Sequence, residues 1–492
     1  MKRVIFVAVA LLSAMMMATA QPASHKAKYE AFKASAIDEY NTFREQANAK
    51  YAAMLRDVWR VENSVESIEL KSLPEPPEPT VAPPNAAPTN DVIEVEEVVS
   101  LPVVESPELM EAIPLVEVAT RSKRVMKSAI PELWGFKFEY YGTPCRMNVD
   151  DSFKFKLSSV TEEGVADAWT LLSEDKYTSV VKASVEWKDT LELNDWGYLR
   201  FIESFTESFL GAKSRNEATV MQMFILIQSG YKVRIARCGE ELTLLLPFKE
   251  SICEYPFLRL GEEFYYIRNR DMKADTYAVF DKEFPNEKLL SIALTKEPKL
   301  MEESVAHRTI AANRYGEVAA EVATNKNLID FYDDYPRTDS WNNYAYASLS
   351  SSVKEMLYPT LKQAIEGREP IVAANILLDL VQSGLEYKTD GDQFGAERPL
   401  FADESLYYPF CDCEDRSILY SILVRDLLGL DVVLLNYPLH LATAVAFKGS
   451  HEGDYITVKG QRYLICDPTY IGADVGQSMP EFKNTVATVI RL

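Results

Sequence analysis

"PFCDCEDRSILYSILVRDLLG", Pro409 to Gly429, sets two cysteines one residue apart and runs directly into an apolar helical pattern. Ile418, Leu419, Ile422, Leu423, Leu427 and Leu428 recur three or four apart, and Gly429 supplies the left-handed stop common at helix ends. The spacing predicts a helix over 413–428. Asp412 stands where an N-cap belongs, with Asp415 three residues on as a short capping box. Cys413 then falls in the first helical turn, where free N–H groups and the positive end of the dipole favour a thiolate. Cys411, before the cap, gets less of this.

A thiolate is a nucleophile, but acyl transfer also needs a proton carrier for the leaving group, a task suited to imidazole near neutral pH. The chain has four histidines. His25 belongs to the N-terminal segment, His307 to a connecting region and His451 to a Gly-Ser-His-Glu-Gly turn. His440 instead begins the alternating stretch "LHLATAVAF", with small Ala442, Ala444 and Ala446 on its own face to admit a helix end. In "RYLICDPT" the strand places Tyr463, Ile465 and Asp467 on one face and stops at Pro468. That puts a carboxylate where it can orient an imidazole. The order Cys413, His440, Asp467 advances by 27 residues at each step.

"DCEDR" with its helix, "LHLATAV" and "YLICDPT" resemble the transglutaminase-like superfamily in order and separation, across roughly residues 370–475. With "YKTDGDQFG" upstream, the arrangement is similar to exported transglutaminase-like proteins of Bacteroidetes-type bacteria. The resemblance implies an α+β papain/transglutaminase-like core, a nucleophile helix packed on an antiparallel sheet, and a papain-like catalytic triad of Cys413, His440 and Asp467. Cys411 and Ala442 stand where the superfamily often has a glycine and an aromatic residue. The oxyanion hole would use the Cys413 N–H with a side-chain donor, Gln393 or Tyr408. Cys466, on the opposite strand face from Asp467, reads as a packed thiol. The expected chemistry is that of a cysteine peptidase or amidase working through a thioester, with protein-glutamine transamidation and a non-catalytic envelope scaffold as the alternatives. Transamidation needs a site that excludes water, and nothing in the sequence marks one. No cofactor and no metal site are expected.

An internal repeat precedes this region. "SRNEATVMQMFILIQSGYKVRI" from Ser214 matches "CEDRSILYSILVRDLLGLDVVL" from Cys413 in apolar pattern, with Gly230 under Gly429 and, further on, Gly261 under Gly460. Both pairs are 199 residues apart, and no gap is needed. That shift sets Ser214, Glu241 and Arg268 under Cys413, His440 and Asp467, so the first copy is expected to be degenerate.

At the N-terminus, residues 1–20 read as a signal peptide: a basic start, a short apolar run and an Ala-Thr-Ala end. The chain is therefore expected to be exported, to the periplasm or cell envelope. From Lys28 to Trp59, Tyr29, Phe32, Ala36, Tyr40, Phe43, Ala47, Tyr51, Met54 and Val58 form one helical stripe. Between Pro74 and Pro114 lie ten prolines among Glu, Val and Ala, the composition of an extended acidic linker. The expected divisions are a helix over 21–72, separate from the main body, a linker over 73–129, a degenerate domain over 130–290, a connector over 291–324 and a catalytic domain over 325–492. The helix leaves self-association or an envelope contact open.

With 52 basic against 74 acidic residues, the net charge of -22 disfavours nucleic acid, which draws its affinity from clustered Lys and Arg. The expected partners are peptide, protein or peptidoglycan-stem amides. Six cysteines in 492 residues are too sparse for a disulfide scaffold.

Overall fold

The computed structural model describes residues 23–65, 67–70, 79–84, 88–99, 135–272, 274–305, 307–316, 318–438 and 440–492. The expected signal peptide lies outside them.

Helix α1 (Ala23–Leu55) is rich in Ala, Glu and Lys, all strong helix formers. Phe32 and Phe43 are exposed, whereas Tyr51, Ala52 and Leu55 are buried. Tyr51 stacks on Trp169, ring centroids 4.0 Å apart, and Arg56 pairs with Glu163 at 2.9 Å and Asp167 at 2.7 Å. The expectation of a helix separate from the body is thereby corrected. The stripe is one continuous pattern in sequence, but among the described side chains the buried ones, Arg44, Asn48, Tyr51, Ala52 and Leu55, lie in the last turns.

Strand β1 (Arg60–Val65) follows α1, and β2 (Val95–Val99) lies in the acidic segment. A hairpin, β3 (Phe136–Tyr140) and β4 (Thr143–Met147), leads to four helices: α2 (Glu162–Leu172), α3 (Asp175–Thr190), α4 (Asp195–Leu210) and α5 (Arg215–Gln228). Then come β5 (Arg234–Cys238), β6 (Glu241–Leu246), β7 (Phe257–Leu260), β8 (Glu263–Ile267) and β9 (Thr276–Val279), which with β1 close into a barrel of order β1-β7-β8-β6-β5-β9.

A short hairpin, β10 (Arg308–Ala311) and β11 (Ala319–Val322), opens the second half, with helices α6 (Lys326–Asp333), α7 (Trp341–Tyr346), α8 (Ser351–Ile365) and α9 (Pro370–Gly384). Next are β12 (Glu386–Tyr387), α10 (Asp390–Phe394), α11 (Ala402–Tyr407), β13 (Phe410–Cys411) and α12 (Cys413–Leu428). The chain ends with β14 (Val432–Tyr437), β15 (His440–Val445), β16 (Tyr455–Val458), β17 (Gln461–Cys466) and β18 (Ala487–Arg491). These last five strands and β2 form one sheet, ordered β16-β17-β15-β14-β18-β2.

The two sheets have the same strand order once β5 to β9 and β1 are read against β14 to β18 and β2. Each is completed by a strand from before residue 100. β1 bridges the barrel by pairing with both β9 and β7; β2 pairs with β18 while Val92, just upstream, makes one bridge to Tyr455 of β16. The orientations differ: β1 runs antiparallel to β9, and β2 runs parallel to β18.

The gapless shift needs one correction. Cys238 faces Glu241 as Tyr437 faces His440, a shift of 199. Leu260 faces Glu263 as Val458 faces Gln461, a shift of 198. Gly261 takes the first position of its two-residue turn, at φ 64°, while Gly460 takes the second, at φ 82°, after Lys459 at φ 49°. Either position rewards glycine, so matching glycines hid the slip. Under the shift of 198, Asp467 corresponds to Asn269 rather than Arg268.

The segment read as a linker also differs from expectation. Residues 79–84 and 88–99 lie against the second sheet: Ile471 N–H donates to the Thr80 carbonyl at 2.9 Å, and Ile93 N–H to the Tyr455 carbonyl at 2.9 Å. Ile93 is 1% exposed, buried with Val433, Leu435, Ala442, Ala444, Tyr463 and Val489. Proline is tolerated there because the segment reaches the sheet at its edges.

The halves share a continuous apolar core. Trp196 meets Tyr335 edge to face, Arg200 pairs with Asp334 at 2.9 Å, and the Cys253 N–H donates to the Arg337 carbonyl at 2.8 Å.

Candidate active site

Helix α12 spans Cys413–Leu428 and stops at Gly429, whose φ of 63° is the left-handed conformation the sequence calls for. At its start the Asp412 N–H donates to Asp415 Oδ2 at 3.3 Å, and the Leu400 N–H donates to Asp415 Oδ1 at 2.8 Å. The helix is fixed to the sheet beside the other two expected residues. Ser417 Oγ donates to the Leu441 carbonyl at 2.8 Å, next to His440, and Arg416 Nη1 reaches the Pro468 carbonyl at 3.5 Å, next to Asp467.

His440 Nε2 and Asp467 Oδ2 are 2.9 Å apart. The carboxylate is an acceptor, so the neutral ring carries its proton on Nε2 and leaves Nδ1 as the basic atom. Asp467 is held in turn: its Oδ1 accepts from the Thr469 N–H at 2.8 Å, and its backbone carbonyl accepts from Gln382 Nε2 at 3.1 Å. The Gln382 amide also binds the Tyr470 carbonyl at 2.8 Å and the Ala473 carbonyl at 3.1 Å, tying the loop after β17 to α9. Phe482 stacks on the imidazole.

The thiol of Cys413 is engaged by its neighbour in sequence. Its Sγ donates to Glu414 Oε2 at 3.1 Å, while His440 Nδ1, fully buried, has no hydrogen-bond partner among the described residues. Cys413 and His440 are both 0% exposed and Asp467 is 2% exposed, so the arrangement is closed to solvent. Alternation sets which strand residues face α12. The α12 side chains pack with Leu441, Val445, Leu464 and Cys466, whereas Ala442, Ala444 and Ala446 face the opposite core with Ile93. The expectation that those alanines admit the helix is corrected: the helix lies on the other face.

The surroundings of the first turn are acidic. Asp412, Glu414 and Asp415 are fully buried, and Asp390, from α10, is 1% exposed. Burial, followed by Cys413 and the carboxyls of Asp415, Asp390 and Glu397, pushes Glu414 well above the usual carboxylate range. The helix's positive end is legible in sequence; Asp390, which arrives from another helix, is not, nor are Gln382 and Phe482, which lie in no motif.

Gln393 lies close to the nucleophile segment, with its Nε2 donating to the Phe410 carbonyl at 3.3 Å. The Tyr408 hydroxyl donates to Asp333 Oδ1 at 2.7 Å. Cys466 is buried, its thiol pushed up to about 12 by burial, and Cys411 likewise to about 11. None of the six cysteines is in a disulfide.

The chain matches no family model, no curated protein and no solved structure. No described helix is long and apolar enough to cross a membrane.

The equivalent positions of the first half hold no such pair. Ser214 Oγ accepts from Lys156 Nζ at 2.6 Å, Glu241 is exposed, and the Asn269 N–H donates to Thr243 Oγ1 at 3.1 Å. Arg268 is held by Glu203 at 2.6 and 2.9 Å.

Proposed function

We propose that the chain is an exported cysteine acyl-transfer enzyme with a papain/transglutaminase-like core, acting as a peptidase or amidase in the cell envelope. The observation that carries this reading is the buried His440–Asp467 pair at 2.9 Å with α12 pinned beside both residues. In the reaction Cys413 Sγ gives its proton to His440 Nδ1 and attacks an amide carbonyl. The imidazolium, steadied by Asp467, protonates the leaving amine, and water drawn by the same ring hydrolyses the thioester. The Cys413 N–H, with Gln393 turned from Phe410, would hold the oxyanion. Catalytic hydrogen bonds are often unformed without substrate, and here the thiol must leave Glu414 to meet the ring. Peptides, proteins and peptidoglycan stems supply suitable amides. The first half is a degenerate copy of the same core, because its strand order matches and its triad positions carry Ser214, Glu241 and Asn269.

The test is reaction of the folded full chain with a peptidyl chloromethyl ketone, the modified residue located by mass spectrometry. Modification of Cys413 that is lost in Cys413→Ala and slowed at least tenfold in His440→Ala supports the reading. Modification only after unfolding would overturn it. That result would favour the second reading, a non-catalytic envelope scaffold, which the complete burial of Cys413 supports.

A further inference from the structure

A second feature of the same region points to a ligand independently of the thiol's chemistry. Asp390, Asp412 and Glu414 each offer a carboxylate oxygen, and these oxygens lie within 4.8 Å of one another. All three residues are buried, and they arrive from two elements far apart in sequence. We infer that they form a site for one hard divalent cation at the start of α12.

Burying several carboxyls in one place costs heavily unless a positive charge or shared protons compensate. The nearby arginines are committed elsewhere. The Arg416 guanidinium binds the Leu385 carbonyl at 2.7 Å and the Gln382 carbonyl at 3.3 Å, and that of Arg398 binds Glu404 at 2.7 Å and also Asp333. The second observation is Glu414 itself. It is 0% exposed, and its Oε1 has no hydrogen-bond partner among the described residues, so a buried polar atom of a cluster member is left unsatisfied.

The donor set selects the kind of ion. Oxygen-only carboxylate ligands suit magnesium, calcium or manganese rather than zinc or copper, which favour nitrogen and sulfur. Contacts of about 2.3–2.6 Å place donors on opposite sides of a calcium-sized ion at about 5 Å, so oxygens within 4.8 Å of one another can share one ion. The Asp390 backbone segment is already fixed, since its Oδ2 accepts from the Arg398 N–H at 2.5 Å, so the ion would meet a preformed arm.

The full chain, stripped with a chelator and dialysed, is titrated with calcium, magnesium and manganese by equilibrium dialysis, with melting temperature followed in parallel. One equivalent of at least one ion should bind and raise the melting temperature, and both Glu414→Gln and Asp390→Asn should weaken binding at least tenfold. If Asp390→Asn does not fold, the isosteric Glu414→Gln and the parent chain decide. The inference is overturned if the parent binds less than one equivalent of every ion, or if Glu414→Gln binds as tightly as the parent. Neither outcome depends on whether Cys413 is a nucleophile.

Discussion

Phe482 lies almost flat on the imidazole of His440, with ring centroids 4.7 Å apart and planes 12° from parallel. The ring that would receive the proton is thus capped by a side chain from the loop before β18, and Tyr437 flanks Phe482 with centroids 5.0 Å apart. Phe482→Ala is expected to cost about 2 kcal/mol, below the ~3–5 kcal/mol of a fully buried phenylalanine because the side chain is only partly buried. Phe482→Leu should cost less. Urea unfolding of the two variants checks both the size and the order.

Asp467→Asn keeps the shape of the orienting group but lets the ring take the wrong tautomer. In an active triad this should slow acylation of Cys413 by about 10²- to 10⁴-fold with little change in melting temperature. The measurement is the second-order rate with the peptidyl electrophile. An unchanged rate would mean that Asp467 holds the loop without serving the histidine's chemistry.

Ile93→Ala should destabilise the chain by about 2–4 kcal/mol, as expected for a large aliphatic residue in a core. A residue in a free proline-rich linker would cost nothing measurable. The urea midpoint of this variant therefore decides whether the segment before β2 belongs to the sheet.

Asp454 governs how that segment responds to acid. Its carboxylate accepts from Thr89 Oγ1 at 2.7 Å, the Asp91 N–H at 2.9 Å and Ser478 Oγ at 2.6 Å, and Lys483 lies 3.2 Å away. Burial pushes its pKa up, but these hydrogen bonds outweigh it and hold the group at about 2 against an ordinary value of 3.8. A depressed folded-state pKa stabilises the fold fully above the unfolded value. That contribution is lost as pH falls through about 3.8 and on past about 2. Asp454→Asn should therefore lower the melting temperature near neutral pH and show a shallower fall between pH 4 and 2.

Much of the candidate site was legible because its signals are local. The helix over 413–428 announces itself through period, N-cap and terminal glycine, and the His440–Asp467 pairing follows from strand alternation and the stop at Pro468. What escaped reading depends on distant partners. "VIEVEEVV" alternates like a strand, yet the prolines on either side of it dominate the segment's composition, and nothing local says that it pairs with residues 487–490. Asp390 and Glu414 likewise look like ordinary surface acids until the fold buries them together. The one-residue slip between the two halves was invisible because a glycine marks the turn in both.

The pairing of β2 with β18 also sets an order of events during synthesis. Val95 must wait for Ala487, so the second sheet cannot be finished until nearly four hundred further residues have been made. The barrel, closed by Arg60–Asn63 against Thr276–Val279, can be complete far earlier. A contact spanning such a separation is slow to form, because the loop must close before the contact stabilises anything. During that interval the β2 segment is an unsatisfied edge. Its glutamates, Glu94, Glu96 and Glu97, carry the like charges that keep such an edge from pairing with a neighbouring nascent chain.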